Sequence, residues 1–183
     1  MSELTIIADI TDKLSKINID YMLTGSIAMN FYAEPRMTRD IDIVVEISAK
    51  NSKLLGEVIE KEYYYSDKAI GEALEYRTLF NVIHRKTVTK IDLIIRKDDD
   101  YSREAFSRKE TKSISDREIN VISKEDLIIS KIQWSMDSKS LMQKRDILNL
   151  LDTGYDKKYI VKWLKNLGLL DYVREYFNER YFS

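Results

Sequence analysis

Two aspartates separated by a single residue, Asp40 and Asp42, are the first feature of the sequence with a chemical meaning. They alternate with Ile41, Ile43 and Val45, which is the period of a β-strand. On a strand, both carboxylates point to one face, with Cα atoms about 6.5–7 Å apart. Two anions this close repel each other unless a cation neutralises them. The spacing indicates a metal site, with a solvated strand face as the alternative.

A third carboxylate, Asp92, interrupts an apolar run over residues 90–95 that also reads as a strand. If the two strands are neighbours, Asp92 joins Asp40 and Asp42 in a triad of oxygen ligands. The chain has no Cys and a single His, His84, so a metal site must be built from oxygen ligands. Such ligands favour Mg²⁺ or Mn²⁺ over Zn²⁺. A lone His is more often structural, and His84 is given no catalytic role.

Gly25 and Ser26 lie where a predicted strand over residues 19–24 turns into a predicted helix. Glycine allows close approach to the backbone, and serine can cap a helix. The N–H groups at the start of a helix bind phosphate readily. An ordinary helix cap is the alternative, but this pair stands some fifteen residues before Asp40 and Asp42. Together the two features predict a phosphate cradle beside metal-binding carboxylates.

Hydrophobic periodicity predicts the elements that must position these residues. Ser123 and Asp126 have the spacing of a capping box and mark a change to helical sequence. The predicted fold class is α/β (α+β), a small mixed β-sheet flanked by helices. Residues 1–120 would form this core, and residues 121–183 a helical C-terminal part packed on it. Helices are expected at about residues 3–17, 26–32, 50–62, 124–136, 138–152 and 156–180, and strands at about 19–24, 38–47, 76–84 and 89–96.

Composition excludes several classes of protein. The 183 residues include 30 basic and 31 acidic side chains, a formal net charge of −1, without the basic excess of a general nucleic-acid binder. The first residues lack the basic and apolar regions of a signal peptide, and no apolar run is long enough to cross a membrane. The sequence therefore predicts a cytoplasmic globular protein with no membrane partner.

The motifs together resemble the nucleotidyltransferase superfamily, which has the fold of DNA polymerase beta. The segments 23–32 and 36–45 are similar to its minimal bacterial and archaeal branch, and more specifically to the AbiEii-like group. The likeness continues through residues 82–94, 123–131 and 143–148, and so covers about residues 19–151. Ala33 departs from the pattern, because similar sequences often have Gly after the Tyr.

The resemblance implies roles for the individual residues. Gly25 and Ser26 would hold the nucleotide phosphates, while Asp40 and Asp42 would bind Mg²⁺, with Mn²⁺ as the other suitable ion. Asp92 would bind one metal ion and help to activate the acceptor hydroxyl. The implied reaction transfers a nucleoside monophosphate from an NTP to an acceptor hydroxyl and releases pyrophosphate.

The resemblance also implies possible partners. The acceptor could be an RNA end such as that of a tRNA, a protein or a small molecule. Many members of the group are toxins of toxin–antitoxin or phage-defence pairs, which would add an antitoxin partner. The alternatives are a catalytically idle module that binds a nucleotide or a partner protein, and the antitoxin-like or scaffolding half of a pair. The motifs do not indicate the base, the acceptor or the oligomeric state.

Two arginines, Arg36 and Arg39, lie just before the aspartate pair. An arginine there could bind triphosphate oxygens with a bidentate geometry that lysine lacks. The alternative is that one of them pairs with Asp40 or Asp42 in the absence of metal. Arg36 is predicted to bind the nucleotide, and the role of Arg39 is left open.

Lys131 falls within the apolar stripe of its predicted helix. A buried ammonium is costly unless it is paired or used, so Lys131 is predicted to bind a nucleotide phosphate. Two alternatives remain, since Lys131 could extend from the edge of the stripe to water or could pair with Asp146. Arg145 and Asp146 are interpreted as a structural ion pair, with their roles otherwise open.

Overall fold

A computed structural model describes residues 3–114, 116–138, 140–177 and 181–182. Within these residues, seven strands form one sheet and nine segments are helical. The strands are β1 (Asp20–Thr24), β2 (Asp40–Glu46), β3 (Tyr63–Tyr64), β4 (Leu79–His84), β5 (Thr89–Ile95), β6 (Glu110–Ile114) and β7 (Arg117–Val121). The helices are α1 (Glu3–Lys16), α2 (Gly25–Met29), α3 (Ala49–Ile59), α4 (Asp67–Tyr76), α5 (Asp100–Ser107), α6 (Lys124–Ser138), α7 (Leu141–Leu151), α8 (Lys157–Asn166) and α9 (Leu170–Tyr176).

The sheet is mixed, as the sequence predicted. Its order is β3-β4-β5-β2-β1-β7-β6. The central strand β2 pairs in parallel with β5 and antiparallel with β1. On its other edge, β5 pairs antiparallel with β4, and β1 pairs in parallel with β7. The strand that carries Asp40 and Asp42 therefore lies in the middle of the sheet, beside the strand that carries Asp92.

The chain divides into two compact units. The first comprises Met1–Ile27 and Met37–Ile122 and contains the whole sheet with α1, α3, α4 and α5. The second comprises Ala28–Arg36 and Ser123–Ser183 and contains helices α6 to α9. It therefore includes a short segment, residues 28–36, that the sequence analysis assigned to the sheet part.

Alternation along β2 separates a buried face of the sheet from a more open one. Ile41, Ile43 and Val45 are fully buried, whereas Asp40 is exposed and Asp42 is half-buried. The same alternation on β5 and β4 buries a set of apolar residues on the same side, namely Ile91, Leu93, Ile95, Phe80 and Val82. This apolar face forms the core, because burial of such side chains contributes about 1.5–3 kcal/mol each. The polar residues are left on the opposite face.

The first unit corrects one predicted strand. Residues 76–84 were expected to be extended, but Tyr76 is the last residue of α4 and β4 begins only at Leu79. Ser66 caps α4 by accepting a hydrogen bond from the Ala69 N–H, and Arg77 ends the helix in the left-handed conformation. No helix was predicted over these residues, and the aromatic Tyr76 at the end of α4 is of a type that is common in strands.

The second unit corrects one predicted helix. The segment 156–180 forms two helices, α8 and α9, because Gly168 takes a positive φ of 69° between them. Left-handed geometry is available to glycine without the strain that a β-carbon brings. The end of this prediction, residues 178–180, and residue 139 of the helix predicted at 138–152 lie outside the described residues. Among the described residues, no helix is both long enough and apolar enough to span a membrane.

Candidate active site

The three predicted metal-binding aspartates lie on two adjacent parallel strands. Asp42 of β2 is in direct register with Asp92 of β5, and Asp40 is in register with Lys90. Residues in register point to the same face of a sheet, and neighbouring strands lie about 4.8 Å apart. The two strands are therefore neighbours, which is the condition on which the predicted triad depended. All three carboxylates lie on the open face.

Gly25 lies directly against the Asp42 carboxylate. Thr24, the last residue of β1, is in register with Asp42, so the chain turns into α2 at this carboxylate. A β-carbon on residue 25 would lie 2.0 Å from the Asp42 Oδ2 atom. Gly25 also has a positive φ of 68°, which disfavours any other residue. The strand-to-helix turn thus approaches the carboxylate more closely than a side chain would permit.

Asp92 is held by two neighbours that the sequence analysis did not assign to the site. Asn81 of β4 is in register with Asp92, and its side-chain amide donates a hydrogen bond to the Asp92 Oδ1 atom. Lys90, two residues before Asp92 on the same strand, donates from Nζ to Asp92 Oδ2 at 3.0 Å. The same ammonium lies 3.8 Å from Asp40 Oδ2. Each oxygen of Asp92 therefore has its own partner.

Lys90 places one positive charge beside Asp92 and Asp40. Its hydrogen bond to Asp92 raises the pKa of the Lys90 ammonium; burial lowers the pKa, and the charges of Asp92, Asp40 and Asp42 raise it further. The ammonium is therefore charged at neutral pH. Arg36 pairs with Asp146 and Arg39 is exposed; pairing of one of these arginines with Asp40 or Asp42 in the absence of metal stays a prediction.

The three carboxylates supply the donor chemistry of a divalent cation site, but in the structure they do not form a ready ligand set. Among the described residues, no three acidic, His or Cys side chains are arranged to hold a metal ion. Carboxylate oxygens are the ligands that Mg²⁺ prefers, and the absent β-carbon of Gly25 lets the Asp42 carboxylate lie against the turn. The residues therefore fit a hard cation once the Lys90 ammonium leaves Asp92 and Asp40.

Ser26 follows Gly25 in the first turn of α2 and is half-buried. The helix is short and ends at Met29 rather than at the predicted Tyr32. The turn places Ser26 next to the residue that contacts Asp42, as the sequence analysis expected of a phosphate cradle. Phosphate binding by Gly25 and Ser26 stays a prediction.

In the second unit, Asp146 of α7 joins the two predicted nucleotide-binding cations. Arg36 donates to both carboxylate oxygens of Asp146, from Nε and from Nη2, at 2.9 Å each. Lys131 of α6 donates to Asp146 Oδ2 at 2.8 Å and to Gln143 Oε1 at 3.4 Å. The Asp146 and Lys131 side chains are only 3% and 5% exposed. The alternative in which Lys131 meets Asp146 is therefore confirmed.

These contacts change the interpretation of Arg145 and Asp146. Arg145 is exposed, and the partners of Asp146 are Arg36 and Lys131 rather than its neighbour in sequence, so the predicted pair is wrong. Burial raises the pKa of the Asp146 carboxyl, but the hydrogen bonds from Arg36 and Lys131 outweigh burial and hold the pKa below its ordinary value. Nucleotide binding by Arg36 and Lys131 stays a prediction.

His84 lies on the other face of the sheet from the aspartates. It is three residues beyond Asn81 on β4, so its side chain points to the buried face. Its ring packs edge to face against Tyr63 at 5.2 Å between centroids, and its Nδ1 atom shares a hydrogen bond with Thr87. These contacts fit the structural role that the sequence analysis preferred.

Comparison with known proteins gives the fold a name. No protein-family model and no curated protein sequence matches the chain, but solved structures do. An antigenic nucleotidyltransferase-like protein from Paracoccidioides brasiliensis is 16% identical, with a TM-score of 0.58 over 94% of this chain and 90% of that chain. The antibiotic-resistance factor ANT(2'')-Ia is 13% identical, with a TM-score of 0.59 over 94% and 97%. The chain has the nucleotidyltransferase fold.

A third structure of this fold is the lincosamide antibiotic adenylyltransferase LnuA, solved with lincomycin bound. It is 16% identical, with a TM-score of 0.56 over 84% of this chain and 99% of that chain. At such identities the likeness concerns the fold alone, so the AbiEii-like subgroup stays a prediction. The nucleotidyltransferase resemblance inferred from the sequence motifs is confirmed at the level of the fold.

Proposed function

We propose that the protein is a Mg²⁺-dependent nucleotidyltransferase. In the proposed reaction, the oxygen of an acceptor hydroxyl bonds to the α-phosphorus of an NTP. The bond between the α-phosphorus and the oxygen bridging to the β-phosphorus breaks, and pyrophosphate leaves with that electron pair. The hydroxyl proton is taken up by a carboxylate base, for which Asp92 is the candidate. The products are a nucleotidylated acceptor and pyrophosphate.

Each residue of the triad has a part in this proposal. Asp40, Asp42 and Asp92 would bind Mg²⁺, or Mn²⁺ in its place, through their carboxylate oxygens. The bound metal would lower the pKa of the attacking hydroxyl and neutralise charge on the phosphates. Asn81 would keep Asp92 oriented, because its amide already holds one oxygen of that carboxylate. Gly25 and Ser26 would present backbone N–H groups to the phosphates.

The observation that carries the proposal is the register of Asp42 and Asp92. Two carboxylates directly opposite each other on neighbouring strands, with a third two residues away, are unfavourable together unless cations are placed among them. Gly25 lets the Asp42 carboxylate lie where the β-carbon of any other residue would be. The nucleotidyltransferase fold of the chain agrees with this arrangement and with the reaction.

A transfer assay with labelled NTPs tests the proposal. The full chain is incubated with Mg²⁺ and each NTP labelled at the α-phosphate, in separate reactions with tRNA, total protein, an aminoglycoside and a lincosamide. The two antibiotics are included because two similar structures are named for antibiotic resistance or adenylyl transfer. We expect label on one acceptor with the wild type and none with Asp42→Asn. Equal label with both proteins would contradict the proposal.

A catalytically idle nucleotide-binding module is the second candidate. The observation in its favour is that the Lys90 ammonium already forms ion pairs with Asp92 and Asp40. Such a module would bind an NTP and gain thermal stability without transferring label to any acceptor. The toxin role, with an antitoxin partner, rests on the sequence resemblance; it predicts that induced expression arrests growth and that Asp42→Asn does not.

A further inference from the structure

Lys90 lies beside two of the three aspartates on the open face of the sheet. Its backbone is in register with Asp40, and its side chain points to the same face as Asp92, two residues further along β5. The ammonium lies 3.0 Å from Asp92 Oδ2 and 3.8 Å from Asp40 Oδ2. A single cation therefore bridges two carboxylates that belong to different strands.

Burial does not force this contact. The Lys90 side chain is 41% exposed, so its four-carbon stem could carry the ammonium into water instead. The ammonium stays beside the carboxylates because opposite charges a few ångströms apart attract each other, even near a protein surface. A divalent cation that binds Asp92 and Asp40 needs the same oxygens, and it repels an ammonium that remains beside them. Lys90 and a metal ion therefore exclude each other.

The two oxygens of the Asp92 carboxylate accept hydrogen bonds from different partners. Asn81 donates to Oδ1 and Lys90 donates to Oδ2. An amide carries no charge and can stay in place when a cation approaches, so Oδ1 keeps its anchor. Only Oδ2 has to exchange partners. The carboxylate is thus held in one orientation while its second oxygen passes from the lysine to another cation.

We propose that Lys90 is a tethered counter-cation that sets the metal affinity of the site, because a divalent cation must displace its ammonium from Asp92 and Asp40. This inference rests on the proposed function, since it requires the three aspartates to bind a metal. In the metal-free protein the lysine limits repulsion among the carboxylates. It also prevents weakly binding cations from occupying the triad, so the site fills only when the divalent ion is abundant enough to compete.

Mn²⁺ binding measured by electron paramagnetic resonance tests this inference without any substrate. Lys90→Gln removes the charge and keeps most of the stem. Lys68→Gln is the matched control, because Lys68 belongs to the same unit and pairs with Glu72 on α4. We expect Lys90→Gln to bind Mn²⁺ about tenfold more tightly than the wild type, and Lys68→Gln to bind it with the wild-type affinity.

The outcomes separate this inference from the proposed function. Wild-type binding that Asp92→Asn abolishes and Lys90→Gln leaves unchanged or weakens would overturn the role of Lys90 and leave the metal site standing. Failure of both the wild type and Lys90→Gln to bind Mn²⁺ would remove the metal site and this inference with it. Melting curves followed by circular dichroism check that each variant is folded.

A second measurement uses the wild-type chain and needs no substitution. The rate at which acetic anhydride modifies each lysine is followed by mass spectrometry of tryptic peptides, with and without Mg²⁺. Release of the Lys90 ammonium from its carboxylates should raise its modification rate severalfold, with a midpoint at the metal affinity. The Lys68 rate should not change. A Lys90 rate that is the same at saturating Mg²⁺ contradicts the displacement.

Discussion

Gly25 lies so close to the Asp42 carboxylate that a side chain on residue 25 cannot be accommodated. An added β-carbon on residue 25 would lie 2.0 Å from Oδ2, 2.7 Å from Cγ and 2.9 Å from Cβ of Asp42. Such distances are well inside van der Waals contact, so either residue would have to move. The turn after β1 therefore constrains the carboxylate at the centre of the proposed metal site, and the two residues form one unit of the site.

Gly25→Ala should displace the Asp42 carboxylate and abolish Mn²⁺ binding. Gly168→Ala is a close control, because Gly168 has nearly the same positive φ, 69° against 68°, and no heavy atom near its absent β-carbon. Left-handed backbone costs alanine about 1–2 kcal/mol, so Gly168→Ala should lose about that much free energy of unfolding, and Gly25→Ala, which adds the overlap, should lose more. Only Gly25→Ala should lose the metal. Loss of binding in both variants would show that backbone strain, not the overlap, is responsible.

Asp146→Asn should destabilise the protein strongly. It leaves the Lys131 ammonium and the Arg36 guanidinium without the carboxylate that accepts three hydrogen bonds from them. Breaking a buried ion pair by removing one partner costs about 3–5 kcal/mol. Urea unfolding followed by circular dichroism measures the change. Asp171→Asn, an exposed carboxylate of the same unit, should change the free energy of unfolding by less than about 0.5 kcal/mol.

Acidification should remove stability that depends on Asp9. Burial raises the pKa of Asp9, but hydrogen bonds with Lys13 and Tyr63 outweigh burial and hold the pKa below its ordinary value of 3.8. The contribution of Asp9 to the free energy of unfolding is therefore present above that value. It is lost as the pH falls through the lower pKa that Asp9 has in the folded state. Between about pH 6 and about pH 3, Asp9→Asn should show a shallower fall in unfolding free energy than the wild type.

An unchanged pH slope in Asp9→Asn would contradict this account of Asp9. Asp171→Asn serves again as the control, because its carboxylate is exposed. It should keep the wild-type slope over the same range of pH.

Tyr63→Phe should remove a hydrogen bond between the sheet and α1. The fully buried Tyr63 donates from its hydroxyl to Asp9 Oδ2 at 2.6 Å. Hydrogen bonds to charged groups contribute about 1.5–3 kcal/mol, and partial exposure of Asp9 places the expected loss at the lower end. The neighbouring Tyr64 is 59% exposed, so Tyr64→Phe should have almost no effect on urea unfolding. Equal losses for the two variants would contradict the assignment.

Short-range patterns predicted the parts of the site that lie on strands. Alternation in sequence placed Asp40 and Asp42 on one face and the apolar residues on the other, because the period of a strand is fixed by its pleat. The pairing of β2 with β5 could only be supposed, since residues 42 and 92 are fifty positions apart in the sequence. The overlap at Gly25 was invisible for a related reason: it depends on the position of a carboxylate from another strand.

Charge partners were the hardest feature to predict. Lys90 lies two residues before Asp92 on one strand, so its side chain points to the same face, and this spacing could have identified it. Only the pairing of β2 with β5 brings Lys90 to Asp40. Asp146 was matched to its neighbour Arg145, with Lys131 only as an alternative, yet its partners are Lys131 and Arg36, because burial selects the cations that the fold places opposite. The long helix predicted at 156–180 failed at Gly168, where backbone conformation prevailed over periodicity.

Transfer from two differently labelled forms of one NTP tests the central claim most directly. With Mg²⁺ and the acceptor identified by the assay above, the wild type should move label from the α-phosphate to the acceptor. The label of the γ-phosphate should be released in pyrophosphate. Asp42→Asn should neither transfer the α-label nor release labelled pyrophosphate. Transfer of the γ-label to the acceptor, or transfer of the α-label that persists in Asp42→Asn, would contradict nucleotidyl transfer at this triad.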